Sequence, residues 1–254
     1  MRVWHQVSDW LAHRKTLTGK SVGVVPTMGA LHRGHAALVE RCRRENDVAV
    51  VTLFVNPSQF NDPKDLEKYP RTLEADLDLL RSLGVDDVIV PDTKQLYPHG
   101  YRIKLDPVGH TPVMEHLHRP GFLQGVLTVV LKLLSIAQAD RAYFGEKDYQ
   151  QLRAVTEMVE EFFLPTQIVP CETVREESGL ALSSRNALLS AEGRVKANAI
   201  YRALTTAPNV DAARAALEAE GFRVDYVEEH WGRRFAAAFL EGIRLIDNVA
   251  IIGR

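Results

Sequence analysis

The run Val48-Ala49-Val50-Val51-Thr52-Leu53-Phe54-Val55 does most to limit what this chain can fold into. A strand with one wet face alternates apolar and polar residues. This one has no wet face, so it must be covered on both sides, as in a parallel sheet flanked by helices. Similar pieces recur on either side of it. Val22-Gly23-Val24-Val25 reads as a strand stopped by Pro26, Leu38 to Arg44 has helical character, and Asn56-Pro57 stops the central run. Thr72 to Leu83 reads as a helix with Leu73, Leu77, Leu80 and Leu83 inward and Gly84 as the residue that ends it. Asp87 to Pro91 is a third strand. After an irregular stretch from Pro91 to Gly121 come a helix over Gly125–Ala139, a strand at Ala142-Tyr143-Phe144, a helix from Tyr149 to Phe162 and a strand at Thr166 to Val169. The repetition predicts an α/β fold, a Rossmann-like open parallel sheet flanked by helices with right-handed crossovers, and places ligands at the carboxyl ends of the strands.

Beyond Cys171 the pattern changes to a polar loop, an alanine-rich helical stretch from Ala191 to Leu204, a break at Pro208, a helix from Asp211 to Glu220, and strand-like pieces at Phe222 to Val227 and Ile243 to Val249. A smaller α+β C-terminal domain is expected, with residues 1–173 forming the first domain and 174–254 the second.

Charge narrows the function. Thirty-one Lys and Arg against 33 Asp and Glu give a formal charge of −2, so no broad electrostatic grip on nucleic acid or anionic lipid is expected. Two cysteines, Cys42 and Cys171, are too far apart for a C-x-x-C pair and too few for a disulfide scaffold. Polar and basic residues follow Met1 to Gln6, and the most apolar segment carries Lys132 and Gln138, so neither a secretory signal nor a membrane span is read. A cytoplasmic protein is expected.

Chemistry should gather where strands run into loops. The first such loop is Pro26-Thr27-Met28-Gly29-Ala30-Leu31-His32-Arg33-Gly34-His35. It leads into a helix, whose unpaired N–H groups suit an anion, and its two histidines are spaced to share one face of a first helical turn. Gly34 leaves room for a flat ligand or a close backbone. Acidic or thiol ligands at matching spacing are lacking, so a nucleotide site is the better reading than a zinc pair. Walker-type and G-x-G-x-x-G phosphate loops are absent. The second loop, Phe54-Val55-Asn56-Pro57-Ser58-Gln59-Phe60, offers two amides between aromatic rings, a set that can grip a small polar molecule. In the third, Phe144-Gly145-Glu146-Lys147-Asp148-Tyr149-Gln150-Gln151, Lys147 supplies a point charge for phosphate, Asp148 can cap a helix, and Gln151 follows three residues on. A fourth segment, Leu180-Ala181-Leu182-Ser183-Ser184-Arg185-Asn186, carries two hydroxyls and a guanidinium that suit polyphosphate oxygens.

The H-x-G-H motif with a later Ser/Arg loop resembles the adenylyl-transferring Rossmann superfamily, and the ordered strings PTMGALHRGH, FVNPSQF, YPRT, FGEKDYQQL and GLALSSRN resemble its pantothenate synthetase family. The likeness runs from about Val22 through Asn186 and returns at Arg244-Leu245-Ile246-Asp247-Asn248. It implies condensation of pantoate with β-alanine at the expense of ATP through a pantoyl-adenylate, with Mg²⁺, in a homodimer. Carried over by position, it makes Pro26, Thr27, Met28, Gly29, Ala30, Leu31, His32, Arg33, Gly34 and His35 one wall of the ATP site, with His35 the proton donor and His32 its partner on the phosphate. Gly145, Glu146, Lys147 and Asp148 would line the nucleoside, Val174 would meet adenine, and Leu182, Ser183, Ser184 and Arg185 would close over the phosphates. Gln59, Gln151 and Asn56 would hold pantoate and β-alanine, and Asp76 would belong to the Mg²⁺ environment. Where the family commonly has Arg-Pro-x-His-Phe-x-Gly-Val, this chain reads Arg119-Pro120-Gly121-Phe122-Leu123-Gln124-Gly125-Val126, and the stretch between Tyr226 and Arg244 is short. The alternatives are a sister nucleotidyltransferase that releases an adenylylated product and a nucleotide-binding module without turnover.

Overall fold

The computed structural model describes residues 1–61 and 63–251. Six strands, β1 (Arg2–Trp4), β2 (Val22–Thr27), β3 (Val48–Leu53), β4 (Asp87–Ile89), β5 (Arg141–Gly145) and β6 (Gln167–Cys171), form one sheet in the order β1-β4-β3-β2-β5-β6. Every pairing is parallel. All six residues of β3 are buried, as its unbroken apolar run requires. The helices of this part are α1 (Val7–Arg14), α2 (Arg33–Glu45), α3 (Pro63–Lys68), α4 (Leu73–Ser82), α5 (Thr93–Leu96), α6 (Met114–His118), α7 (Phe122–Ala137) and α8 (Tyr149–Glu161). Val39 and Cys42 of α2 and Leu77 and Leu80 of α4 pack against Val25, Ala49, Val51 and Val88 of the strands. Helix α7 is apolar nearly all round and packs against both β2 and α1.

Several boundaries differ from the sequence expectation for physical reasons. Pro26 does not stop β2, which runs on to Thr27. Strand β5 pairs with β2 only at Gly23 and Val24, so the missing N–H of Pro26 lies past that ladder. Leu73 is 37% exposed rather than inward, because it opens α4 and the buried position in that turn is taken by Asp76. Helix α7 starts at Phe122 and ends at Ala137, stopped by Gln138 in the left-handed conformation.

The chain divides into two compact units. The first comprises Met1–Leu31, His35–Gly145 and Gln150–Cys171; the second takes His32–Gly34, Glu146–Tyr149 and the chain from Glu172 onward. In the second unit the expected Ala191–Leu204 helix is two, α9 (Ala191–Ala197) and α10 (Ala199–Thr206), followed by α11 (Val210–Ala219). Its sheet is antiparallel, β7 (Arg223–His230), β8 (Arg233–Leu240) and β9 (Ile243–Ala250) in that order. The turns at Trp231-Gly232 and Glu241-Gly242 have two positive-φ residues each, which lets a short stretch of chain hold the whole of β8. Ile200, Leu204, Leu217, Phe222, Val227 and Leu245 form its core with the alanines of β8.

Candidate active site

Strand order reverses between β2 and β5, so the loops that leave their carboxyl ends open at the switch point of the sheet, where doubly wound folds bind ligands. The loop after β2 is shaped by a carboxylate. Gly29 and Ala30 are both left-handed, at φ 79° and 50°, which turns the next amides inward. Buried Asp76 accepts the Ala30 N–H at 2.9 Å on Oδ2 and the Leu31 N–H at 2.8 Å on Oδ1, with the Thr72 hydroxyl also donating to Oδ2 at 3.2 Å. Two loop amides that precede α2 thus already hold an anion, the protein's own. Asp76, expected in the Mg²⁺ environment, has both oxygens turned to the loop. Among the described residues no group of three or more His, Cys, Asp or Glu side chains is placed to hold a metal ion. These donors do not fit a resident Mg²⁺.

His32 lies just before α2 rather than on its first turn, while His35 is on that turn. The Gly34 N–H donates to His32 Nδ1 at 3.1 Å, a capping bond in which the imidazole satisfies an otherwise unpaired helix donor. The bond makes Nδ1 the acceptor and leaves the proton of the neutral ring on Nε2. A Cβ at position 34 would stand 2.9 Å from two atoms of this ring, so the room that Gly34 provides is used by His32 itself. Burial, assisted by the Lys147 charge and only partly opposed by Asp148, pushes the His32 imidazole down to about 4. Lys147 in turn lies 3.7 Å from Asp148. Further along the second unit, Ser183 caps the short 3-10 segment Ser184–Leu188 by accepting the Arg185 N–H at 3.2 Å, and the Leu182 N–H donates to the Val174 carbonyl at 3.0 Å. Ser183, Ser184 and Arg185 are all half-buried.

The amide pair after β3 lies in the first unit. Asn56 is 1% exposed, and its Nδ2 donates to Gln59 Oε1 at 3.0 Å and to the Gly125 carbonyl at 3.2 Å. Its Oδ1 accepts from the hydroxyls of Ser58 and Tyr97, both at 3.0 Å. Burial pushes the Tyr97 phenol up, which keeps that hydroxyl a donor. All four hydrogen-bonding capacities of Asn56 are used, so it orients Gln59. Gln59 is held from its backbone as well, by Arg119, whose Nη2 donates to the Gln59 carbonyl at 3.0 Å and whose guanidinium lies 3.8 Å from the centre of the Phe122 ring. Phe122, which stands where the family commonly has His, thus has a definite contact. Gln151 is half-buried on α8, whereas its neighbour Gln150 is buried and ties Val113 and Glu115 to that helix.

Sequence reasoning missed Tyr97, Gly125 and Arg119 as supports of the amide pair. A lone glycine inside the most apolar helix was the available signal for Gly125, since such a residue marks a close backbone approach. Its Cβ would lie 2.4 Å from the Ser58 carbonyl oxygen.

The architecture has clear counterparts. The family model for pantoate-β-alanine ligase matches residues 1–250. A pantothenate synthetase of Bdellovibrio bacteriovorus is 49% identical over 250 residues, 98% of this chain and 99% of that one. The crystal structure of pantothenate synthetase from Thermus thermophilus superposes with a TM-score of 0.90 at 43% identity, covering 99% of both chains. That of the pantoate-β-alanine ligase from Francisella tularensis, a complex with β-γ ATP and β-alanine, gives a TM-score of 0.95 at 38% identity over 100% of this chain and 99% of that one. With a family model across nearly its whole length and relatives of this identity and coverage, the chain belongs to the pantoate–β-alanine ligase family.

Proposed function

We propose that this chain condenses (R)-pantoate with β-alanine to pantothenate, using ATP as co-substrate and releasing AMP and pyrophosphate, through a pantoyl-adenylate. A carboxylate is a poor acceptor for an amine because its leaving group would be oxide. Attack of the pantoate carboxylate on the α-phosphorus of ATP replaces that oxide with AMP, and pyrophosphate departs. The neutral amine of β-alanine then attacks the acyl carbon, the bond from that carbon to the phosphate oxygen breaks, AMP leaves with the electron pair, and the nitrogen gives up a proton to solvent. No protein nucleophile is needed, so the residues position reactants and stabilise charge.

In this reading Gln59 and Gln151 hold pantoate, with Asn56 fixing the Gln59 amide. His35 and His32 act on the α-phosphate, Lys147, Ser183, Ser184 and Arg185 take the charge that builds on the phosphate oxygens, and Glu146, Asp148 and Val174 meet the nucleoside. The observation that carries it is the bond from the Gly34 N–H to His32 Nδ1, which fixes an imidazole of the H-x-G-H motif where it feels the charge of Lys147. Asp76 acts through the loop it holds. The homodimer that the resemblance implies and the cytoplasmic setting expected from the sequence belong to the same proposal; the two buried free thiols, Cys42 and Cys171, accord with a reducing compartment. No helix among the described residues is long and apolar enough to cross a membrane.

Pantoate-dependent exchange of pyrophosphate into ATP, followed by AMP release when β-alanine is added, tests the reaction. Exchange with a different acid and none with pantoate would reassign the chain to a sister enzyme. His35→Ala should leave the fold intact and slow exchange by roughly a hundredfold, the usual cost of one transition-state donor; near-normal exchange in that variant removes His35 from the mechanism. The sister reading, release of an adenylylated product, leaves the Asn56–Gln59 pair without a task.

A further inference from the structure

The string Arg244-Leu245-Ile246-Asp247-Asn248 belongs to the family likeness, yet none of its residues has a role in the reaction proposed above. From the geometry we infer that Asn248 is a positioning residue for Lys147, a role that rests on the catalytic reading of that lysine. Asn248 lies on β9 and is 1% exposed. Its Nδ2 donates to the carbonyl of Glu146 and to that of Lys147, both at 2.9 Å. One amide nitrogen therefore spans the two peptide units that carry the lysine side chain into place.

The rest of Asn248 is fixed by two arginines. Oδ1 accepts from Arg233 Nε, and the same guanidinium reaches Glu146 Oε2 at 3.4 Å and lies 4.6 Å from the centre of the Tyr149 ring. The Asn248 N–H donates to Asp247 Oδ1 at 2.7 Å. Asp247 is held by Arg175, Nη1 to Oδ2 at 2.6 Å and Nη2 to Oδ1 at 2.9 Å, and Arg175 Nη2 also donates to the Asn248 carbonyl at 3.1 Å. Only asparagine suits this place. Aspartate would turn carboxylate oxygens on two carbonyls, and glutamine is one methylene too long for the same span. A buried network satisfied at every atom holds its geometry tightly, and here it ends on the backbone of a cationic side chain.

The experiment is a double-mutant cycle on Asn248→Ala and Lys147→Ala in the full chain, read by the kcat and KM of pantoate-dependent ATP–pyrophosphate exchange. Asn248→Ala should lower kcat by about tenfold to a hundredfold, the range that a misplaced charge produces, with KM for pantoate within about twofold. In the Lys147→Ala background the same change should cost less than about twofold, because the group it positions is gone. Effects that multiply in the double variant overturn the positioning role and leave the lysine's own role standing. A neutral Lys147→Ala overturns the catalytic reading of Lys147 and the positioning role with it. Should Asn248→Ala fail to fold, Arg233→Ala, which loosens Asn248 while sparing its contacts to the carbonyls, replaces it in the cycle, and the same two results overturn the same two roles.

Discussion

The imidazole of His32 is constrained from two directions, and both constraints can be measured. Because its pKa in the folded chain is about 4 against 6.5 for an ordinary histidine, the unfolded chain binds more protons between those values. His32 therefore contributes stability in full above about pH 6.5, and loses it as pH falls toward 4. A ring C–H resonance of His32 followed by NMR should titrate near 4 in the free protein, and should move upward when ATP brings negative charge to the ring. A midpoint near 6.5 without ligand would refute the burial argument. The second constraint is steric. Gly34→Ala puts a methyl 2.9 Å from the ring, so the ring must leave its capping bond. Exchange activity should drop at least tenfold while the far-ultraviolet circular dichroism spectrum is unchanged; an active Gly34→Ala enzyme with the wild-type His32 titration counts against it. Of all this, the sequence disclosed the two histidines and the need for space at Gly34. What filled the space was hidden, because a side chain folding back on its own backbone leaves no mark in residue spacing.

Elements were legible where periodicity was strong and obscure where neighbours decide. Strand β3 could be read directly, since a run with no polar face has one solution. Strand β8, with Ala236-Ala237-Ala238 at its middle, could not. Alanine favours helix in isolation, and here it is a strand residue because β7 and β9 pair on both sides and α10 packs closely over the small side chains. The same dependence on a neighbour governs the Asn56–Gln59 segment, which α7 approaches closely enough that position 125 has no space for a methyl group. Gly125→Ala should push the Ser58–Gln59 backbone away, break the Asn56 bond to the Gly125 carbonyl and cost about 1–3 kcal/mol of stability. Chemical denaturation measures the second effect, and the KM for pantoate, expected to rise at least about tenfold, measures the first. If KM stays at its wild-type value the Gln59 assignment loses its structural support.

At the scale of the whole chain, near-neutral composition conceals a sorting of charge along the parallel sheet. Acidic residues gather where strands begin. Asp47 accepts from the amide and hydroxyl of Ser21, Asp140 from the Val22 amide and Asp86 from the Ala49 amide. The Ser21 bonds hold the Asp47 carboxyl below the usual carboxylate range, so its contribution is lost only on acidification past that range. The histidines, amides and Lys147 belong to loops that leave the opposite ends. The strand starts thus carry stabilising carboxylates and the opposite ends carry the residues proposed to react, a division expected for parallel sheets, whose ligands sit at the carboxyl ends of the strands. Asp87 gives the sharpest test. It is fully buried at the start of β4 and accepts from Arg2 Nε at 2.8 Å, Arg2 Nη2 at 2.9 Å and Trp4 Nε1 at 2.8 Å, which fastens the edge strand β1. Asp87→Ala leaves the Trp4 N–H without that acceptor and Arg2 without its ion pair, at a cost of about 3 kcal/mol. For a chain of this size that lowers Tm by roughly 6–12 °C. At 25 °C, well below the transition, kcat for pantothenate formation should match the wild type. A variant of unchanged Tm but reduced kcat would show that the two edges are not separate in function.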